Sequence, residues 1–140
     1  MKVKEAMSKK PDFVPPTMSL TDASKEMLKY DFGFLPIGEN DRLIGTVTDR
    51  DITIRAIAKG RDPNKTLVKD VMTDEILYCF EEDELEHAVK NMGEEQVHRL
   101  VVLDKDKQMT GILSMGDAAR NNEDDNVLGL VLKMITKKGW

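Results

Sequence analysis

The sequence predicts an α/β (α+β) fold built twice, as a pair of small alpha/beta units followed by one further C-terminal helix. Three observations carry that reading. The hexapeptide Val3-Lys4-Glu5-Ala6-Met7-Ser8 returns as Val68-Lys69-Asp70-Val71-Met72-Thr73, 65 residues later. At the same offset Phe13 falls on Tyr78, Leu20 on Leu85, Ala23 on Ala88, Met27 on Met92, Leu35 on Leu100, Ile37 on Val102 and Asp41 on Asp106. After one residue enters near Gln108 the offset becomes 66, and Gly45 then falls on Gly111, Thr48 on Ser114 and Asp51 on Asp117. A single insertion between two charged stretches is what a surface turn tolerates, so the copies share a fold. The boundaries that follow are 1–66 for the first copy, 67–122 for the second and 123–140 for a helical extension.

Taken in order, Leu20, Ala23, Met27 and Leu28 make a helical apolar stripe, with Ser19 as N-cap and Gly33 as its end. Phe34-Leu35-Pro36-Ile37 reads as a short strand, Gly38 to Arg42 as a polar turn, and Leu43 to Val47 as the returning strand of a hairpin. Pro36 has no amide hydrogen, so its strand is an edge or pairs on one side only at that point. A second helix runs from about Asp49 to Lys59, closed by Gly60, and Arg61 to Lys65 is a short linker. In the second copy Asp83-Glu84-Leu85-Glu86 reads as a capping box, with Leu85, Ala88, Val89 and Met92 on the buried face. Arg99 to Leu103 and Met109 to Leu113 are its hairpin strands, and Val101 stands where Pro36 stands in the first. A helix from about Met115 and an amphipathic helix around Val127 to Ile135 complete the chain. That last helix has no counterpart in the first copy, and either covers an exposed face or provides a dimer contact.

Composition bounds the function. Net charge is −5 with 34% charged residues of both signs, which argues against nucleic acid or an anionic membrane as the main partner. One cysteine excludes an internal disulfide, and no Cys/His cluster has metal-ligand spacing. With no apolar run of membrane-spanning length and no signal peptide, a cytoplasmic protein is expected. His87 lies on an acid-rich helix and reads as a surface residue, Met27 and Met92 read as packing, and Cys79 as a small buried side chain. No nucleophile, base and orienting group recur together, and there is no Walker-type phosphate loop, so an enzyme is not expected.

The residues that could carry chemistry sit at the repeated junctions Gly45-Thr46-Val47-Thr48-Asp49-Arg50-Asp51 and Gly111-Ile112-Leu113-Ser114-Met115-Gly116-Asp117. Each delivers a hydroxyl and then an acid to the start of a helix. Hydroxyl and acid three residues apart is the spacing of a helix cap, contributing about 1 kcal/mol. The same carboxylate can accept both hydroxyls of a ribose while backbone amides meet a phosphate. Two such junctions in matched places favour the second use.

With these motifs together, the sequence resembles a tandem CBS-domain protein, a family named for a motif of cystathionine beta-synthase. The resemblance runs from Val3 to Arg120 through Val3-Lys4-x-x-Met7, Val68-Lys69-x-x-Met72, Leu35-Pro36-Ile37 and the two junctions. It implies a beta-alpha-beta-beta-alpha unit occurring twice with pseudo-twofold symmetry, clefts between the motifs that bind adenine nucleotides, and assembly as a homodimer. Carried over by position, Asp51 and Asp117 would hold ribose hydroxyls, and Thr48 and Ser114 would lie near ribose or phosphate. His98 and Arg99 would meet phosphate, and the backbone at Phe13-Val14 and Tyr78-Cys79 would edge the adenine. Arg50 is a further candidate cation, equally readable as a solvated arginine at a helix start. The first copy has Gly33-Phe34 where the second has His98-Arg99, so the two sites are expected to differ in charge and affinity. The expected function is a regulatory module for an adenosine nucleotide (AMP, ADP or ATP, with S-adenosylmethionine or NAD open) that signals to a separate protein. The alternative is a ligand-free structural module in which the acids only cap helices.

Overall fold

In the computed structural model, residues 1–121 and 124–137 are described. In chain order the elements are α1 (Val3–Ala6), β1 (Ser8–Lys9), α2 (Leu20–Tyr30), β2 (Phe34–Glu39), β3 (Arg42–Thr48), α3 (Asp49–Arg55), β4 (Tyr78–Phe80), α4 (Leu85–Glu95), β5 (Arg99–Leu103), β6 (Met109–Ser114), α5 (Met115–Asn121) and α6 (Asp125–Thr136). Short 3-10 turns at Ile57–Lys59 and Val68–Asp70 complete the inventory. Two compact units result: a continuous one, Pro11–Ile76, and a two-segment one, Met1–Lys10 with Leu77–Trp140. They do not coincide with the sequence copies, because each opening hexapeptide folds with the body of the other copy.

Local chemistry explains most element boundaries. Ser19 caps α2 by accepting from the Asp22 amide at 3.1 Å. The helix ends not at Gly33 but at Asp31, left-handed at φ 50, and its counterpart Gln96 ends α4 at φ 56. Both positions bear side chains where glycine is usual. The β2–β3 hairpin turns on Asn40 and Asp41, both at positive φ (54 and 60), as a two-residue type I′ turn requires. The β5–β6 turn holds the extra residue, with Lys107 at φ 61 and the Asp104 carboxylate accepting from the Asp106 and Gln108 amides. The expected capping box at Asp83 is absent: Glu84 occupies the N-cap without a side-chain bond, and Asp83 accepts from the Phe80 amide at 2.9 Å. The helix after β3 is shorter than expected, since Ala56 breaks it before the turn that Gly60, at φ 73, closes.

The hexapeptides attach by the same set of bonds in both units. Val3 and Lys4 donate their amides to the carbonyls of Asp83 and Glu81, and Leu85 donates to Met1. In the continuous unit Val68 and Lys69 donate to Met18 and Pro16, and Leu20 donates to Thr66. Val3 and Val68 are fully buried. The methionine that follows lies on a mid-strand glycine. A Cβ at Gly111 would stand 2.5 Å from the Met7 sulfur and 2.7 Å from the Ser8 carbonyl, and one at Gly45 would stand 2.6 Å from the Met72 sulfur and 3.0 Å from the Thr73 carbonyl. Glycine at these strand positions is therefore a packing requirement.

Sheet order follows from that attachment. The two-segment unit has a sheet ordered β1-β6-β5-β4, with β4 parallel to β5 and the other pairs antiparallel. The continuous unit has the same plan with weaker outer positions: β2 pairs β3, and single bridges join Thr73 to Thr46 and Val14 to Ile37. Pro36 explains the weaker outer pairing beside β2. Val101 donates its amide to the Leu77 carbonyl at 3.1 Å, whereas Pro36, its counterpart, has no amide to donate. Pro36 is nonetheless paired on both sides, standing opposite Thr46 of β3 and accepting through its carbonyl from the Val14 amide at 3.0 Å, so the expected edge or one-sided pairing does not hold there and only the amide bond is missing.

Each unit has its own apolar core. In the continuous unit it gathers Leu20, Ala23, Met27, Leu35, Ile37, Val47, Ile52 and Val68, and in the other Val3, Leu85, Val89, Met92, Leu100, Leu113, Val131 and Ile135. Leu28 does not belong to this core: it is 82% exposed. Its counterpart on α4 is Gly93, where a Cβ would meet Met134 and Val131 at 3.2–3.4 Å because α6 lies against that face. The C-terminal helix thus covers α4, leaving Leu130 and Leu132 exposed. Gln96 ties it down through the Met134 carbonyl at 3.2 Å.

Chemical denaturation should separate these contributions. Gly111→Ala is expected to destabilise by about 1–3 kcal/mol, because the Ser8 backbone cannot yield as a flexible side chain can. Ile135→Ala should cost about 2–4 kcal/mol, and Leu28→Ala no more than about 0.5 kcal/mol.

Candidate functional site

Both junctions form, and with the same bonds. In the continuous unit the Thr48 hydroxyl accepts from the Asp51 amide at 3.1 Å, and Asp51 Oδ2 accepts from the Thr48 amide at 2.9 Å. In the two-segment unit the Ser114 hydroxyl accepts from the Asp117 amide at 3.0 Å, and Asp117 Oδ2 accepts from the Ser114 amide at 3.0 Å. These reciprocal pairs are capping boxes, so the cap role of the hydroxyls and acids is real. A second matched bond fixes each helix start to the preceding hairpin: Asp49 donates to the Gly33 carbonyl at 3.0 Å, and Met115 to the His98 carbonyl at 2.9 Å.

The pairing register brings several sequence-predicted residues to one end of each sheet. Arg99 stands directly opposite Ser114, and Phe34 opposite Thr48. The parallel pairing of β4 with β5 puts Tyr78 beside Val101 and Cys79 beside Val102, so the start of β4 lies at the same sheet end as Arg99. His98 is exposed, Arg99 half-buried and Arg50 exposed. Phe13 and Tyr78, equivalent by sequence, differ in use. The Phe13 ring rests on Gly38, whose Cβ would stand 2.5 Å from it, while Tyr78 is 43% exposed and packs edge-on against Phe80 with ring centroids 5.6 Å apart. Val14 is buried and bonds β2 through its amide and carbonyl, leaving no outward main-chain group of its own at that bridge.

The acids differ more than the sequence suggests. The Asp117 side chain is 5% exposed and its carboxylate also engages the Arg120 guanidinium at 2.6 Å and the Ser8 hydroxyl at 3.2 and 3.3 Å. Such density of partners is what a buried carboxylate needs. The Asp51 side chain is 14% exposed, and beyond its cap bond Arg55 approaches only to 3.8 Å. Arg55 instead directs Nη1 to the Val71 and Met72 carbonyls at 2.9 and 3.2 Å, fastening the hexapeptide segment. Sequence reasoning missed Ser8, Arg120 and Arg55. Helical spacing of three and four residues from Asp117 and Asp51 was the available signal for the arginines. Ser8 had none, being 109 residues from its partner.

Asp49 was also missed. Its carboxylate lies against Gly33, where a Cβ would collide with it, and Oδ1 accepts from the Arg50 amide at 2.9 Å. Gly33 therefore serves this contact rather than ending α2. Among the described residues no three His, Cys, Asp or Glu side chains gather as a metal site, and no helix is long and apolar enough to cross a membrane.

Comparison with known proteins agrees with the repeat. The family model described as CBS domain matches residues 3–56 and again 68–124. The chain is 33% identical over 134 residues to the CBS domain-containing protein YhcV of Bacillus subtilis, covering 96% of this chain and 94% of that one. The structure is similar to that of CBSX2 in complex with AMP (TM-score 0.71, 28% identity, 85% of this chain and 93% of that one). It is similar also to the CBS domain pair of protein MJ0100 in complex with 5′-methylthioadenosine and S-adenosyl-L-methionine (TM-score 0.73, 26% identity, 86% and 94%).

Cys79, beside the candidate adenine edge, is a packing residue. Burial pushes its thiol from the ordinary value of 9.0 up to about 12, with the Asp83 charge adding to the effect. Thiolate chemistry is thereby suppressed. Because the folded pKa is raised, the contribution of Cys79 to stability is intact below pH 9 and is lost as pH rises toward 12. A thiol-specific chromogenic reagent at pH 8 should react with Cys79 far more slowly in native than in urea-unfolded protein, and Cys79→Ala should flatten the decline of stability above pH 9.

Proposed function

The chain belongs to the CBS-domain family, whose paired domains are regulatory modules, and on that premise we propose that it binds an adenosine-containing ligand at its strand-to-helix junctions and passes that event to a separate protein. The observation that carries the reading is the matched pair of junctions, each presenting Asp51 or Asp117 beside a hydroxyl at the end of a strand. A carboxylate held by its own cap keeps further lone pairs for the two hydroxyls of a ribose. Arg99 opposite Ser114, with His98 next to it, supplies donors for a phosphate in the two-segment unit. Binding of AMP by CBSX2, and of 5′-methylthioadenosine and S-adenosyl-L-methionine by the MJ0100 pair, supports adenosine as the shared chemical element. AMP, ADP, ATP, S-adenosylmethionine and NAD all contain it.

The ligand can act as a signal only by binding one conformation better than another. In the two-segment unit the displaced contacts are identifiable. A ribose at Asp117 has to compete with Ser8 and Arg120, so its arrival would loosen the N-terminal strand β1 that Ser8 belongs to. Assembly as a homodimer, which would present the responding surfaces twice, belongs to the same proposal.

The second reading, a ligand-free structural module, is favoured by one observation. Both acids are already used in caps, and Asp117 has partners on both oxygens. Thermal-shift measurements divide the two. A ligand at 100 times its dissociation constant stabilises by about 2.7 kcal/mol, whereas a structural module shows no shift with any adenosine compound. In calorimetric titrations Asp51→Ala and Asp117→Ala, made separately, should each weaken binding at one site by about tenfold or more. Unchanged titrations for both variants would exclude the assignment.

A further inference from the structure

We propose that the two junctions select different classes of adenosyl ligand, an anionic 5′ group such as phosphate in the two-segment unit and a neutral or positive 5′ group in the continuous unit, with Asp49 as the discriminating residue. This rests on the reading that Asp51 and Asp117 hold a ribose. Register makes the comparison local: Gly33 stands where His98 stands, Phe34 where Arg99 stands, and Asp49 where Met115 stands. The backbone at these positions is alike, since Asp49 donates to the Gly33 carbonyl at 3.0 Å and Met115 to the His98 carbonyl at 2.9 Å. What differs is charge.

In the continuous unit the space left by the missing Cβ of Gly33 is filled by the Asp49 carboxylate, which the Arg50 amide holds at 2.9 Å. An anion is thereby fixed at the end of the strand pair, where the other unit has exposed His98 and half-buried Arg99. Phe34, in the place of Arg99, is buried at 7% exposure and offers no donor side chain. The charged residues of the helix that this junction opens are Asp49, Arg50, Asp51 and Arg55, and the Arg55 guanidinium is turned onto the Val71 and Met72 carbonyls. At the other junction α5 carries Asp117 and Arg120, the adjoining strand start brings His98 and Arg99, and Met115 contributes no charge. A phosphate in contact range of one carboxylate loses roughly fivefold in affinity even with water-like screening, and more where water is excluded. A sulfonium or an uncharged 5′ group loses nothing there.

The test titrates the full chain calorimetrically with AMP, adenosine and S-adenosylmethionine. Asp117→Ala isolates the continuous unit, and Asp51→Ala isolates the two-segment unit. Asp117→Ala is expected to bind adenosine or S-adenosylmethionine at least about fivefold tighter than AMP, and Asp51→Ala to prefer AMP. Adding Asp49→Asn to Asp117→Ala should shift the AMP-to-adenosine affinity ratio toward AMP by about fivefold, since asparagine keeps the acceptor for the Arg50 amide but not the charge. The converse variant, Met115→Asp in Asp51→Ala, places an acid in the other unit and should shift the ratio away from AMP even if Asp49→Asn fails to fold. Equal affinities of Asp117→Ala for AMP and adenosine, or an AMP preference lost on Arg50→Gln and untouched by Asp49→Asn, would overturn the inference. In both outcomes wild-type binding persists. Absence of binding by the wild type to all three probes overturns the ribose reading and this inference with it.

Discussion

The close approach of each hexapeptide to a mid-strand glycine is the contact on which the other features depend. Met7 and the Ser8 carbonyl occupy the space above Gly111, and Met72 and the Thr73 carbonyl that above Gly45. At Gly111 no side chain larger than hydrogen fits without moving the Ser8 backbone, and at Gly45 a Cβ would displace the Met72 side chain. These contacts bring an extra chain segment to the outer side of β6 and β3, bury Val3 and Val68, and set which residues neighbour the strand-to-helix junctions. In the two-segment unit the chain must close a loop of some seventy residues before any of this is gained, an entropic cost that rises only slowly with length. The dense, matched backbone bonding of Val3, Lys4 and Leu85 offsets it locally.

From that contact the character of each candidate acid follows. β1 presents Ser8 to Asp117, and α5 returns Arg120 to the same carboxylate, so this acid is buried and fully engaged. In the continuous unit the corresponding hexapeptide residue, Thr73, faces Arg55 at 3.4 Å rather than the acid, and Asp51 retains more exposure. Two capping boxes of identical pattern thus sit in unlike electrostatic surroundings.

Much of this was legible in the linear pattern, for identifiable reasons. The repeat register located the single inserted residue in the β5–β6 turn, and helical spacing found Leu85, Ala88, Val89 and Met92 on the buried face of α4. Thr48-x-x-Asp51 and Ser114-x-x-Asp117 announced their own caps, because capping is a local interaction over three residues. Pro36 forecast the missing amide bond beside β2, though not that its strand is paired on both sides there. Readings failed where the deciding partner was distant. Leu28 fits the apolar stripe of α2, but the equivalent face of α4 is buried only because α6 covers it, and no counterpart of α6 occurs in the first copy. Gly33 looked like a helix stop, yet its role is to admit the Asp49 carboxylate from sixteen residues along the chain.

The sequence alone determined the twofold repetition, the helix–hairpin–helix order within each copy, the strand-to-helix junctions and the identity of their acids, since all of these rest on local periodicity and on residues within a few positions of one another. Only the tertiary structure decided which hexapeptide serves which unit, that Ser8 and Arg120 close around Asp117, and that α6 shields α4 while Leu28 of α2 stays exposed. The physical reason is the same in each case. Strand pairing and burial join residues far apart in the chain, and a repeated sequence is equally compatible with each hexapeptide packing on its own copy or on the other.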